Sequence, residues 1–127
     1  MSNGTFATAI NCMDGRTQLP VIEWMKREHQ VDYVDTITEP GPVRILAAAT
    51  DAAALESIRR RLSISVNKHG STRVAIVAHT DCAGNPVDKE TQFRQLRMAE
   101  ATVLTWGFGV QLDLLWLGND WQVERIG

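Results

Sequence analysis

Two cysteines and one histidine stand where a metal ion could use them. His79 and Cys82 are spaced H-x-x-C in Ala78-His79-Thr80-Asp81-Cys82-Ala83-Gly84, directly after the apolar run Val74-Ala75-Ile76-Val77-Ala78. That spacing lets both side chains of a tight loop turn onto one point, and imidazole and thiolate are donors that a borderline ion such as zinc accepts. They make only half of a tetrahedral site. The other cysteine, Cys12, lies in Cys12-Met13-Asp14-Gly15-Arg16 after a second apolar run, and supplies a third donor if the two loops meet. Two thiolates would neutralise the dication and leave its fourth position to a water, which becomes a nucleophilic hydroxide near neutral pH. Asp14 is close enough in sequence to accept a hydrogen bond from that hydroxide, or to ligate the metal itself. Arg16 can grip Asp14 in a two-pronged fork and hold the carboxylate off the metal.

The elements that must position these residues alternate along the chain. Phe6 to Asn11 reads as strand 1. Leu19 to Gln30 reads as a helix, with Val21, Ile22, Trp24 and Met25 apolar, charges between them, and Pro20 in the first turn, where a missing N–H costs nothing. Val31 to Thr38 alternates as strand 2 and is stopped by Glu39-Pro40-Gly41-Pro42. Val43 to Ala49 can form a short helix. Thr50 or Asp51 can cap a longer one reaching His69, with Leu55, Ile58, Leu62 and Val66 at helical spacing and Gly70 as its terminator. Arg73 to Ala78 is strand 3. Asp88 can cap a helix to about Trp106 that buries Phe93, Leu96, Ala99, Val103 and Trp106. Val110 to Leu117 is strand 4, and Trp121 to Ile126 a possible short fifth strand at an edge.

This alternation predicts an α/β fold: a three-layer, open, mainly parallel sheet of order 2-1-3-4, with helices on both faces joined by right-handed crossovers. In that order strands 1 and 3 are neighbours whose outgoing connections leave toward opposite faces, which opens a crevice at their C-terminal ends. Cys12 closes strand 1, and His79 with Cys82 closes strand 3. Three donors far apart in sequence thus converge where such a fold keeps its ligands.

The chain of 127 residues is the size of one domain, read here as spanning 1–127, and can bury a core without disulfides. Its charged content of 22% and net charge of −2, with no basic stripe, argue against a nucleic-acid partner. No apolar run approaches a membrane span, and Met1-Ser2-Asn3-Gly4-Thr5 lacks the order of a secretion signal. A cytoplasmic location with both thiols reduced is the expectation.

The two motifs together resemble the signature of the β-class carbonic anhydrases: C-x-D-x-R, here Cys12-Met13-Asp14-Gly15-Arg16, and H-x-x-C-x-G, here His79-Thr80-Asp81-Cys82-Ala83-Gly84, each after a buried strand. The resemblance covers most of the chain. It implies Zn2+ held by Cys12, His79 and Cys82, a gating dyad of Asp14 and Arg16, and reversible hydration of carbon dioxide to bicarbonate by zinc-bound hydroxide. It also implies a homodimer or higher homo-oligomer, for which an exposed aromatic edge around strand 4 and Trp121 is a plausible surface. The chain departs from the family's pattern in three places. It resembles a compact branch without the helices that usually precede strand 1. Thr38-Glu39-Pro40-Gly41-Pro42 replaces the family's stretch after strand 2. Ala83 stands where the first of two glycines usually follows the last ligand, while Gly84 keeps the second.

Plainer roles compete for each residue. Cys12 can be a small buried filler at a strand end, and Asp14 with Arg16 a surface ion pair. Asp81 can cap its loop or orient the site. Asn85 and Asp88 suit turn and helix caps. His29 and His69 suit helix C-termini, although either could shuttle protons. Arg59-Arg60-Arg61 suits a solvated face, and Trp24, Trp106, Trp116 and Trp121 suit core or interface positions. Two further functions use the same site: hydrolysis of carbonyl sulfide or carbon disulfide, and a non-catalytic zinc- or bicarbonate-binding module with Asp14 as permanent fourth ligand. A cysteine-phosphatase loop would need an arginine six positions after the cysteine, where this chain has Gln18. A redox pair of Cys12 with Cys82 remains as an artefact of metal loss.

Overall fold

The structure, a computed structural model, describes residues 4–127; residues 1–3 of the N-terminal stretch considered above lie outside the described residues. The elements run β1 Phe6–Cys12, α1 Gly15–His29, β2 Tyr33–Glu39, α2 Pro42–Ala48, α3 Ala52–His69, β3 Arg73–His79, α4 Lys89–Leu104, β4 Gln111–Leu117 and β5 Val123–Arg125. They form one sheet of order β2-β1-β3-β4-β5. The first four strands are parallel, and β5 lies antiparallel on β4.

β1, β3 and most of β4 are buried on both faces, which is why they read as apolar runs rather than as alternating strands. One face carries Ala7, Ala9, Ala75, Val77, Leu115 and Leu117 against Val21 and Met25 of α1. The other carries Ile10, Ile76 and Leu114 against Leu46 of α2, Ile58 and Leu62 of α3, and Leu96, Ala99 and Val103 of α4. Each such fully buried aliphatic side chain stabilises the fold by roughly 1.5–3 kcal/mol. The chain therefore leaves β1 toward the α1 face and leaves β3 toward the α4 face. That divergence makes the C-terminal ends of β1 and β3 the switch point of the sheet.

Three expectations are corrected. Helix α1 starts at Gly15, not near Leu19, because Asp14 caps it: the Asp14 carboxylate accepts from the Arg16 N–H at 2.9 Å. Pro20 then sits inside the helix, without the N–H that would reach back four residues to Arg16. Strand 2 starts at Tyr33 rather than Val31, where the Tyr33 and Asp32 N–H groups both turn back to Thr5. Strand 4 is not the sheet edge, since β5 covers it, and Trp116 is 5% exposed, while Trp121 is half-buried against the α1 face. The open edge on the other side of the sheet is β2, where Tyr33 is 53% exposed. Among the described residues no helix is long and apolar enough to cross a membrane.

Candidate metal centre

Cys12 ends β1 and His79 ends β3, so their position follows from the pairing of these two central strands. Cys82 is carried back to them by a tight turn in which Asp81 takes a positive φ of 54° and the Asn85 N–H bonds to the Cys82 carbonyl at 3.2 Å. The Cys12 loop is pinned from both sides. Asn11 Oδ1 accepts from the Cys12 N–H at 2.8 Å, and Gln18 Nε2 donates to the Cys12 carbonyl at 2.7 Å. The Met13 N–H bonds to the Glu39 carbonyl at 3.0 Å, tying the loop to the end of β2.

The result is a buried triad of donors. The two sulfurs are 3.8 Å apart and unbridged, and the ligand atoms of Cys12, His79 and Cys82 all lie within 4.8 Å of one another. His79 Nδ1 lies 2.7 Å from the Thr80 carbonyl oxygen, which can only accept, so Nδ1 carries the proton and Nε2 the lone pair. Nε2 is buried without a hydrogen-bond partner beside the two thiols. A buried acceptor left unpaired is costly, and here its lone pair belongs to a donor set of the kind zinc takes. The residues present fit such an ion.

The electrostatics agree. Burial disfavours the Cys12 thiolate, but the His79 imidazole and the backbone at Gly41 and Asp14 outweigh it and bring the thiol down to about 7. Burial and the neighbouring Cys12 charge push the Cys82 thiol up. Burial opposes the His79 cation, yet Cys12 and the Thr80 carbonyl raise its pKa. In the protein without metal, one negative charge at Cys12 therefore discourages a second at Cys82, and a bound cation would relieve that conflict.

Asp14 and Arg16 form the fork that their spacing allows. Arg16 Nε donates to Asp14 Oδ1 at 3.1 Å and Nη2 to Oδ2 at 2.7 Å, and this pairing holds the Asp14 carboxyl down at about 2. Asp81 contacts the same guanidinium, accepting from Nη1 at 3.3 Å and, through its carbonyl, from Nη2 at 3.2 Å. Gly84 has a steric role. A Cβ there would come 2.5 Å from the Pro40 carbonyl carbon, and one on Gly41, whose φ is +63°, would come 2.9 Å from Gly84. The loop after β2 and the loop after β3 thus meet backbone to backbone, which is what Pro40-Gly41 does in this chain.

The remaining candidates lie elsewhere. Asp88 caps α4, accepting from the Thr91 N–H at 2.8 Å. Asn85 is fully buried and donates to Gln95 rather than capping a helix. His29 pairs with Asp113, and His69 with Asp35, both toward the strand ends opposite the centre. Arg59 pairs with Glu56, and Arg61 with Glu39. Reading the sequence missed Asn11 and Gln18, which brace Cys12, and Trp121, whose ring lies 4.4 Å from the Arg16 guanidinium carbon and 5.8 Å from the His79 ring. No motif flags Trp121, because it reaches the site from the distant β4–β5 connection.

Sheet order and donor set define an α/β protein with a cysteine–histidine cluster that could hold a metal at the switch point of its sheet. The family model described as "Putative carbonic anhydrase" matches residues 2–127, and the chain belongs to that family. No curated protein sequence matches it. Two solved structures share its fold. The carbonic anhydrase of Streptococcus mutans is 14% identical with a TM-score of 0.63, the match covering 95% of this chain and 81% of that one. The β-carbonic anhydrase CafA of the fungal pathogen Aspergillus fumigatus is 15% identical with a TM-score of 0.51, covering 98% and 76%.

Proposed function

We propose that this protein is a zinc-dependent carbonic anhydrase that hydrates carbon dioxide reversibly to bicarbonate, with Cys12, His79 and Cys82 as ligands and Asp14 and Arg16 serving catalysis. The observation that carries the reading is the buried, unpartnered His79 Nε2 beside two free thiols, next to a carboxylate that is already engaged by Arg16. Zinc in such a donor set supplies a Lewis acid that makes water a nucleophile near neutral pH.

The chain's own residues do the rest. The Thr80 carbonyl fixes the tautomer of the neutral His79 ring, so its lone pair is on Nε2. Arg16 keeps Asp14 ionised and oriented. The lone pairs of Asp14 that Arg16 leaves free could accept a hydrogen bond from the nucleophile and orient its oxygen toward the carbon. Burial of all three ligands excludes bulk water around them. Self-association as a homodimer or higher homo-oligomer, and a cytoplasmic location, belong to the same proposal.

The test is stopped-flow carbon dioxide hydration by protein carrying one zinc per chain, with Cys12→Ala as control. Hydration above the control supports the enzyme. Its absence with zinc bound refutes this reaction and turns attention to carbonyl sulfide and carbon disulfide. Arg16→Ala separates the enzyme from a zinc-binding module closed by Asp14. In the enzyme it should lower kcat at least about tenfold, within the usual range for losing a positioned acid–base group, whereas a closed module has nothing to lose.

A further inference from the structure

We propose that Trp121 is a positioning residue of this metal centre: its indole clamps Arg16, and through Arg16 it keeps Asp14 from closing the metal's fourth position. The inference rests on the carbonic anhydrase reading and deepens it.

Asp14 needs a restraint stronger than an ordinary surface ion pair. A carboxylate two residues from a ligand is itself a good donor for zinc, and a bound dication would draw it in. Arg16 opposes that pull, but its side chain is 47% exposed, and ion pairs this open to water hold weakly. Two groups strengthen it. Asp81 grips the far side of the guanidinium through its carboxylate and its carbonyl. Trp121 lies with its ring centroid 4.4 Å from the guanidinium carbon. A planar cation against an indole is attracted to the ring and loses water from that side, and the two effects together fix its plane.

The backbone is arranged for this contact. Trp121 has a φ of +56°, a region that bulky residues rarely occupy. It is held there by a turn in which its N–H bonds to the Gly118 carbonyl at 3.0 Å. The indole also packs against the cluster under α1 that contains Val21 and Leu117, and lies against the His79 ring at 5.8 Å between centroids. One side chain from the β4–β5 connection therefore touches a metal ligand and the guard of the carboxylate. A residue serving only the core would need neither the uncommon φ nor the arginine.

Cobalt(II) in place of zinc makes the fourth position visible, because an added anion such as azide changes the absorption of the ion only if it can bind it. Trp121→Phe keeps an aromatic face, and Trp121→Leu keeps apolar bulk without one. We expect all three proteins to bind one cobalt per chain. Azide affinity should fall at least about tenfold in Trp121→Leu and stay within about threefold of wild type in Trp121→Phe, as loss and retention of a partly desolvated cation–π contact imply. Adding Asp14→Ala to Trp121→Leu should restore the azide response, which a structural defect would not allow. Equal azide affinity in wild type and Trp121→Leu would overturn the proposal, as would equal loss in both variants, no rescue by Asp14→Ala, or failure of Trp121→Leu to take up cobalt. Silence of the wild-type spectrum to azide would instead show the site closed, removing the enzyme reading and this inference with it.

Discussion

Both ends of the sheet bury a cluster of polar side chains, but the two clusters are finished to different degrees. At the opposite end from the candidate metal centre, Asp113 of β4 is 1% exposed and held by His29 and two arginines. His29 Nε2 lies 2.6 Å from its Oδ2, while Arg73 and Arg125 approach its Oδ1 at 3.0 and 3.6 Å. Only Arg73 Nε is left without a partner there, on a guanidinium whose other nitrogens are engaged. This cluster ties α1, β3 and β5 to β4, and both Asp113 oxygens are engaged. At the candidate metal centre two thiols and an imidazole lie together, and His79 Nε2 is buried without a hydrogen-bond partner. A buried polar group with all its partners reads as structure, and one without them reads as a place for something else to bind.

The sharpest way to break this contrast is to remove one member from each end. Asp113→Ala should destabilise the fold by about 3 kcal/mol in urea unfolding, the usual cost of stranding buried charges, while the folded fraction still binds one zinc. Cys12→Ala should do the reverse, abolishing stoichiometric zinc in a metal assay while leaving the metal-free protein nearly as stable. If Asp113→Ala also lost zinc, the two ends would not be separable. A smaller effect is expected at the backbone contact beside the centre. Gly84→Ala forces a methyl against Pro40 and should cost about 1–3 kcal/mol, as overpacking does, and zinc affinity should fall with it because Cys82 is carried on the same turn. The smallest effect belongs to a charge outside both clusters. Hydrogen bonds from Thr91 lower the pKa of Asp88 below its ordinary value of 3.8. Its cap on α4 therefore stabilises fully above that ordinary value and is lost as pH falls through the lower folded one. Asp88→Ala should lower the melting temperature slightly at pH 7, and the difference from wild type should vanish in strong acid.

Much of this was legible before any coordinates. Strand order, helix faces and the meeting of Cys12 with His79 and Cys82 follow from apolar runs, helical spacing and two short motifs, all of them local signals. The Asp14–Arg16 fork was legible too, because two residues of separation suffice to form it. What escaped was set by competition or by distance. The chemistry of Asp14 hides its second use as a helix cap, which starts α1 at Gly15 rather than near Leu19. Gly84 stood out as part of a pattern, but its steric reason lies in Pro40, across the site. Trp121 looked like bulk for the core or an interface, since nothing near it in sequence discloses the arginine it faces.

The parallel pairing of β1 with β3 also sets an order of events. Cys12 and Cys82 are 70 residues apart, and they approach only after a connection through α1, β2, α2 and α3 has closed, the kind of distant pairing that makes folding slow. In a zinc finger the ligands are near neighbours and the ion can nucleate the fold. Here an ion bound by Cys12, His79 and Cys82 would have nothing to gather until β1 and β3 pair. During synthesis Cys12 leaves the ribosome 70 residues before Cys82, so an ion held by both would be gathered only once β1 and β3 lie side by side.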